Sequence, residues 1–115
     1  AFDGPVIAVF QPHRYTRTRY LANDFARALA GADRVVVTDI YSASEDPIAG
    51  VSAASILEPL RAGGTAADHV PNVADAPAHV LRTAPPGALV LFLGAGSISQ
   101  AAHDLARELE SAPVP

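Results

Sequence analysis

Val6-Ile7-Ala8-Val9-Phe10 is an apolar run that passes directly into Gln11-Pro12-His13-Arg14-Tyr15-Thr16-Arg17-Thr18-Arg19. A continuous apolar run of this length reads as a strand covered on both faces, and Pro12, which has no N–H for a ladder, ends it. Leu21, Phe25, Ala28 and Leu29 then recur at helical spacing, and Gly31 closes the helix. Strand, charged loop and helix make one β-α unit, and the same unit recurs along the chain.

Val35-Val36-Val37 with Ile40 reads as the second strand, followed by a polar stretch from Tyr41 to Gly50. Ser52 is placed to cap a helix that buries Ile56, Leu57 and Leu60 and stops at Gly63-Gly64. Ala67 to Val70 reads as a short third strand. Val73 to Ala84 reads as a helix, with Val80 and Leu81 inward and Pro77 as an irregularity. Pro85-Pro86-Gly87 breaks the chain before Ala88 to Leu93, the most convincing strand of the chain. Gly94-Ala95-Gly96-Ser97 turns into a last helix, with Ile98, Ala102, Leu105 and Leu109 on one face and Ser97 as its cap. The tail from Ala112 reads as frayed.

Four consecutive β-α units with apolar strands predict a single α/β domain, a doubly wound, Rossmann-like parallel sheet. In such sheets ligands bind beyond the carboxyl ends of the strands, where strand order reverses. For an order 3-2-1-4 the reversal lies between the first and fourth strands. The loops leaving those strands, Gln11 to Thr18 and Gly94 to Ser97, are predicted to be neighbours.

Composition narrows the function. The 115 residues are half apolar and 17% charged, a normal globular balance for one domain. Without cysteine there are no disulfides, thiolate nucleophiles or Cys-based metal sites. No apolar run approaches the ~20 residues of a membrane span, and the first residues lack the pattern of a signal peptide. All eight basic residues are arginine, and Arg14, Arg17 and Arg19 fall within six residues. The remaining five face twelve acids, a net of −7 around a local +3. An acidic body argues against nucleic acid, and a small basic focus on it suits one small anion.

Arginine near a helix start opposes the macrodipole, and such a conflict tends to mark function. The return is planar recognition of a carboxylate or phosphate, aided by free backbone N–H groups at the helix start. Arg14 and Arg17, at i and i+3, are the expected anion ligands, whereas Arg19 reads as a solvated residue within reach of acids such as Asp24. His13 reads either as a ligand-orienting group or as a packing residue. Gly94 to Ser99 resembles the start of a dinucleotide fingerprint. It has Ser99 at the third glycine position and no strand after it, so a tight turn is the better reading. Asp39, Glu45 and Asp46 form an acidic loop, solvated or on the ligand's rim. His69, His79 and His103 lack metal-ligand spacing and read as surface residues. No phosphate-binding G-x-x-x-x-G-K-[ST] is present.

The segment Val9-Phe-Gln-Pro-His-Arg-Tyr-Thr-Arg-Thr18 resembles the opening of the C-terminal domain of the Mur ligases, in their L-alanine-adding branch. Asp39-Ile-Tyr-Ser-Ala-Ser-Glu-Asp-Pro-Ile48, Gly50-Val-Ser52 and Leu93-Gly-Ala-Gly-Ser-Ile98 continue it in order and spacing, so it covers residues 1–115 almost entirely. The branch that recycles a whole peptide onto the same sugar fits less well. The resemblance implies a cytoplasmic, ATP- and Mg²⁺-dependent ligase of peptidoglycan synthesis, hence of cell-wall growth, cell shape and division. In that family the muramoyl carboxylate of UDP-N-acetylmuramate becomes an acyl phosphate, which the amine of L-alanine attacks. This domain would bind the amino acid, with His13, Arg14 and Arg17 lining the site and Glu45, Gly94 and Ser97 on its rim. No catalytic residue and no metal ligand is expected here. The P-loop and the Asp-Asp-Tyr-Gly-His-His-Pro segment of the other domains are missing, so the chain alone is expected to be inactive. The family commonly has Asp in place of Ser97 and Gly near Ser44. The alternative expectation is a stand-alone Rossmann- or flavodoxin-like module binding a phosphate or nucleotide.

Overall fold

A computed structural model describes residues 2–111. The strands are β1 (Val6–Gln11), β2 (Arg34–Val37), β3 (Ala66–His69) and β4 (Leu89–Gly94). They form one parallel sheet in the order β3-β2-β1-β4, as expected. The helices are α1 (Tyr15–Leu29), α2 (Ala54–Ala62), α3 (Ala76–Thr83) and α4 (Ile98–Ser111).

Alternation along the strands sorts the core into two layers. Ala8, Val35 and Val37 meet Leu29 of α1 and Ile56, Leu57 and Leu60 of α2 on one face. Ile7, Val9 and Val36 meet Val80 of α3 with Ile98 and Leu105 of α4 on the other. Val9, Val35, Val36 and Val37 are fully buried, each worth about 1.5–3 kcal/mol relative to exposure. These central positions hold the sheet.

The expectation of two covered faces fails at β4. Leu89, Leu91 and Leu93 are each about two-fifths exposed (39–41%). The cause is topological: α1 and α2 carry the chain from β1 towards β3, away from β4. Among the described residues no helix covers the α1 side of this edge strand.

Smaller differences also have physical reasons. Ala26 rather than Ala28 is buried in α1, and Ala101 joins Ile98 and Leu105 in α4, while Ala102 is half-buried and Leu109 exposed. The strips that face the sheet are therefore narrower than the apolar composition suggested. Leu81 is exposed, beside buried Val80. β2 ends at Val37, so Ile40 belongs to the following loop. Pro77 does not break its segment. It sits in the first turn of α3, where a missing N–H costs nothing, after a short 3-10 turn at Val73–Asp75 capped by Asn72. The Ser52 hydroxyl accepts from the Ala54 amide at the start of α2, as a cap should. The tail from Ala112 lies outside the described residues.

Candidate functional site: the crevice between β1 and β4

The last residues of β1 and β4 pair with each other, Gln11 against Gly94, and this brings the two predicted loops together. Gly94 sits at φ 140, and a Cβ there would lie 2.6 Å from the Gln11 carbonyl oxygen. Only glycine lets the strands close to this distance. Beyond it, a cavity of about 250 Å³ is lined by Phe10, Gln11, His13, Arg17, Phe25, Gly94 and Ala95. Phe10 and Phe25 pack at 5.0 Å between ring centroids and form its apolar side. Gln11 is 4% exposed, with Nε2 a long 3.5 Å from Ser97 Oγ. Its Oε1 is buried with no hydrogen-bond partner among the described residues.

The loop carrying His13 and Arg14 is tied to the segment after β2. The Arg14 amide donates to the Tyr41 carbonyl, and the Tyr41 amide donates to Pro12, both at 2.8 Å. The His13 and Tyr41 rings stack with centroids 5.7 Å apart, and the Tyr41 ring lies over Gly96 of the second loop. Tyr41 thus bridges both loops. Sequence reading passed over it, although it stands inside the quoted Asp39–Ile48 motif.

Arg14 precedes α1 and holds φ 68, ψ 145, a region that costs a non-glycine residue about 1–3 kcal/mol. Its carbonyl anchors the helix, accepting from Thr18 Oγ1 at 2.8 Å and the Thr18 amide at 3.2 Å. Because Arg14 lies outside the helix, its own backbone and not the i, i+3 period sets its direction. Arg17 lies in the first turn and lines the cavity with His13. It has no ion-pair partner among the described residues. Arg19 lies on the exposed face against the Tyr20 ring, and Asp24 pairs with Arg27 instead.

Two of the backbone N–H groups at the start of α1, those of Tyr15 and Thr16, are not free. Glu45 Oε1 accepts from the Tyr15 and Thr16 amides at 2.6 and 3.1 Å, and Oε2 accepts from the Thr16 hydroxyl at 2.6 Å. The Thr16 hydroxyl holds the Glu45 carboxyl below its usual range. Burial opposes this, and the Thr16 and Tyr15 amides and the Arg14 charge add to it. A residue 30 positions away thus caps a helix that has no acid in its own first turn. Ala43 and Ser44, just before Glu45, adopt φ 50 and 72, a left-handed conformation that favours glycine. Glu45 therefore ties its own loop to the start of α1 and engages two of its amides.

Other predicted residues lie elsewhere. Asp39 pairs with His69 at 2.7 Å. His79 is not a simple surface residue: its Nε2 is 2.9 Å from Asp68, which also binds Arg34. His103 is exposed. Among the described residues no group of three or more His, Asp or Glu side chains could hold a metal ion. No helix among them is long and apolar enough to cross a membrane.

Residues 1–96 match the family model described as "Mur ligase, glutamate ligase domain". The UDP-N-acetylmuramate–L-alanine ligase of Rhodospirillum rubrum is 46% identical over 112 residues, 96% of this chain and 23% of that protein. The enzyme of the same name from Acidithiobacillus ferrooxidans is 45% identical over 100 residues, 87% of this chain and 22% of its own length. The crystal structure of UDP-N-acetylmuramate-alanine ligase from Thermotoga maritima superposes with a TM-score of 0.73 at 26% identity, covering 95% of this chain and 21% of that one. The chain thus spans between a fifth and a quarter of the length of these relatives. With a family model matched over most of its length, the chain belongs to the Mur ligase family, as a C-terminal domain.

Proposed function

We propose that this chain is the amino-acid-binding domain of a ligase that joins L-alanine to UDP-N-acetylmuramate at the expense of ATP. The observation that carries the reading is the β1–β4 crevice. There the cation Arg17 and the His13 ring line a small cavity together with the apolar Phe10, Phe25 and Ala95. That lining suits a small α-amino acid, with its carboxylate on the basic groups and its methyl against the apolar ones. The relatives named above act on L-alanine by their own names, which favours this amino acid.

In this reading Arg17 and His13 hold the carboxylate, and Arg14, placed at the rim by its strained backbone, joins them when the other domains close. Gly94 sets the width of the crevice, and Ser97 and Glu45 fix its two loops. ATP and Mg²⁺ belong to the remainder of the protein and supply the activated acyl phosphate. Attack by the amine then forms the C–N bond, releases phosphate and loses a proton. This domain contributes position: holding the amine at the acyl carbon turns a bimolecular encounter into a local one. Cytoplasmic location, a role in cell-wall synthesis and inactivity of the isolated chain follow from the same proposal.

The capped α1 start counts against a stand-alone phosphate or nucleotide module. Glu45 occupies two of the amides such a ligand would need and places a carboxylate where it would lie. The experiment is an ADP-release assay of the full-length protein. ADP should appear only when UDP-N-acetylmuramate and L-alanine are both present, and the isolated chain should release none. ADP release indifferent to L-alanine would overturn the proposal.

A further inference from the structure

Gln11 is the cavity residue that this reading leaves unused. It is the last residue of β1, almost fully buried, and it lines the cavity beside His13 and Arg17. Its Oε1 has no hydrogen-bond partner among the described residues, and its Nε2 makes one long contact with Ser97 Oγ. Turning the amide over does not remove the deficit. The Ser97 hydroxyl still serves one end, and the –NH₂ takes the unpartnered position. A buried polar atom without a partner is a standing cost to the ligand-free fold. A donor that arrives with a ligand would remove it.

The chemistry of the cavity says which donor. Arg17 carries donors alone and can take only the carboxylate end of an amino acid. The phenylalanines offer nothing polar. An α-amino acid anchored by its carboxylate carries its nitrogen one carbon further on, within the reach of so small a cavity. We propose that Gln11 is a positioning residue, its amide oxygen accepting an N–H of the bound amino acid and so aiming the nitrogen lone pair. The inference rests on the reading of the crevice as the amino-acid site.

The test uses the full-length ligase, with L-alanine as substrate and propionate as competitor. Propionate keeps the carboxylate and carbon chain and lacks the amine. Gln11→Met keeps the shape of the side chain and removes the acceptor. It should raise the KM for L-alanine about tenfold, the effect of one hydrogen bond to a charged or polar ligand group. Inhibition by propionate should change less than about twofold by the same reasoning, and the ligand-free melting temperature should hold or rise. A structural role would instead weaken both ligands together and lower the melting temperature, and that result, or an unchanged KM for L-alanine, overturns the proposal. Arg17→Ala separates the two levels. If it leaves both ligands unaffected, the crevice is not the amino-acid site, whatever Gln11 does.

Discussion

Two polar clusters on this sheet are built in opposite ways. Over β2 and β3, the Arg34 guanidinium meets both oxygens of Asp68 at 2.9 and 3.0 Å, and His79 Nε2 lies 2.9 Å from the same carboxylate. These groups satisfy one another and tie α3 to the two strands. At the mouth of β1 and β4, Arg17 has no ion-pair partner among the described residues, Gln11 holds an unpartnered oxygen, and Arg14 is kept at a positive φ. A saturated network stabilises its own fold, whereas an unsaturated one bears a cost that a ligand can relieve. The contrast separates charge that is paired within the fold from charge left open to a ligand.

The comparison breaks most easily at Gly94. In Gly94→Ala the new Cβ must push Gln11 away while adopting an unfavourable φ. A loss of roughly 3 kcal/mol is expected from overpacking and backbone strain together, read from the midpoint of denaturant unfolding. A loss near zero would mean that the two strand ends are not held together as described.

Asp68→Asn tests the saturated side. About 1 kcal/mol should be lost, a modest value because the cluster is partly solvated. Burial tends to raise the Asp68 carboxyl above its ordinary 3.8, but hydrogen bonds from His79 and Arg34, with their charges, outweigh it and leave it lowered. A lowered folded-state value means that the ionised carboxylate stabilises the fold above the unfolded value. This contribution fades as pH falls below about 3.8 and through the folded value. The variant should therefore lose less stability on acidification across that range than the parent does. Equal acid slopes would remove Asp68 from the stabilising cluster.

Arg14→Gly has a smaller effect and the opposite sign. Glycine accepts φ 68 without strain, and its greater freedom when unfolded offsets part of the gain, so stability should rise by between zero and about 1 kcal/mol. A loss beyond that size would show that the Arg14 side chain holds the fold together. Arg17→Ala should change stability least, within about 0.5 kcal/mol.

Much of this was legible in the chain. Val6–Phe10 and Val35–Val37, each followed by a helical period, carried the parallel order, and with it the adjacency of the Gln11 and Gly94 loops. The proposed anion site was read from three arginines at the entry to a helix in an acidic chain, and of these Arg17 lines the crevice. Other features depended on tertiary partners that no local pattern reports. Glu45 caps a helix that starts 30 residues earlier, so two of the amides expected to bind an anion were already engaged. Tyr41 joins two loops, and a lone tyrosine in a polar stretch gives no such signal. The bare face of β4 follows from where the crossovers go, since an edge strand and a central strand can share one apolar composition.

The most direct test of the central claim is the substrate dependence of Arg17→Ala in the full-length ligase. Loss of a charge-assisted contact to the carboxylate should raise the KM for L-alanine by roughly 10- to 100-fold. The KM for UDP-N-acetylmuramate should stay as it is. An unchanged KM for L-alanine, or an equal rise for both substrates, would contradict the assignment of the β1–β4 crevice to the amino acid.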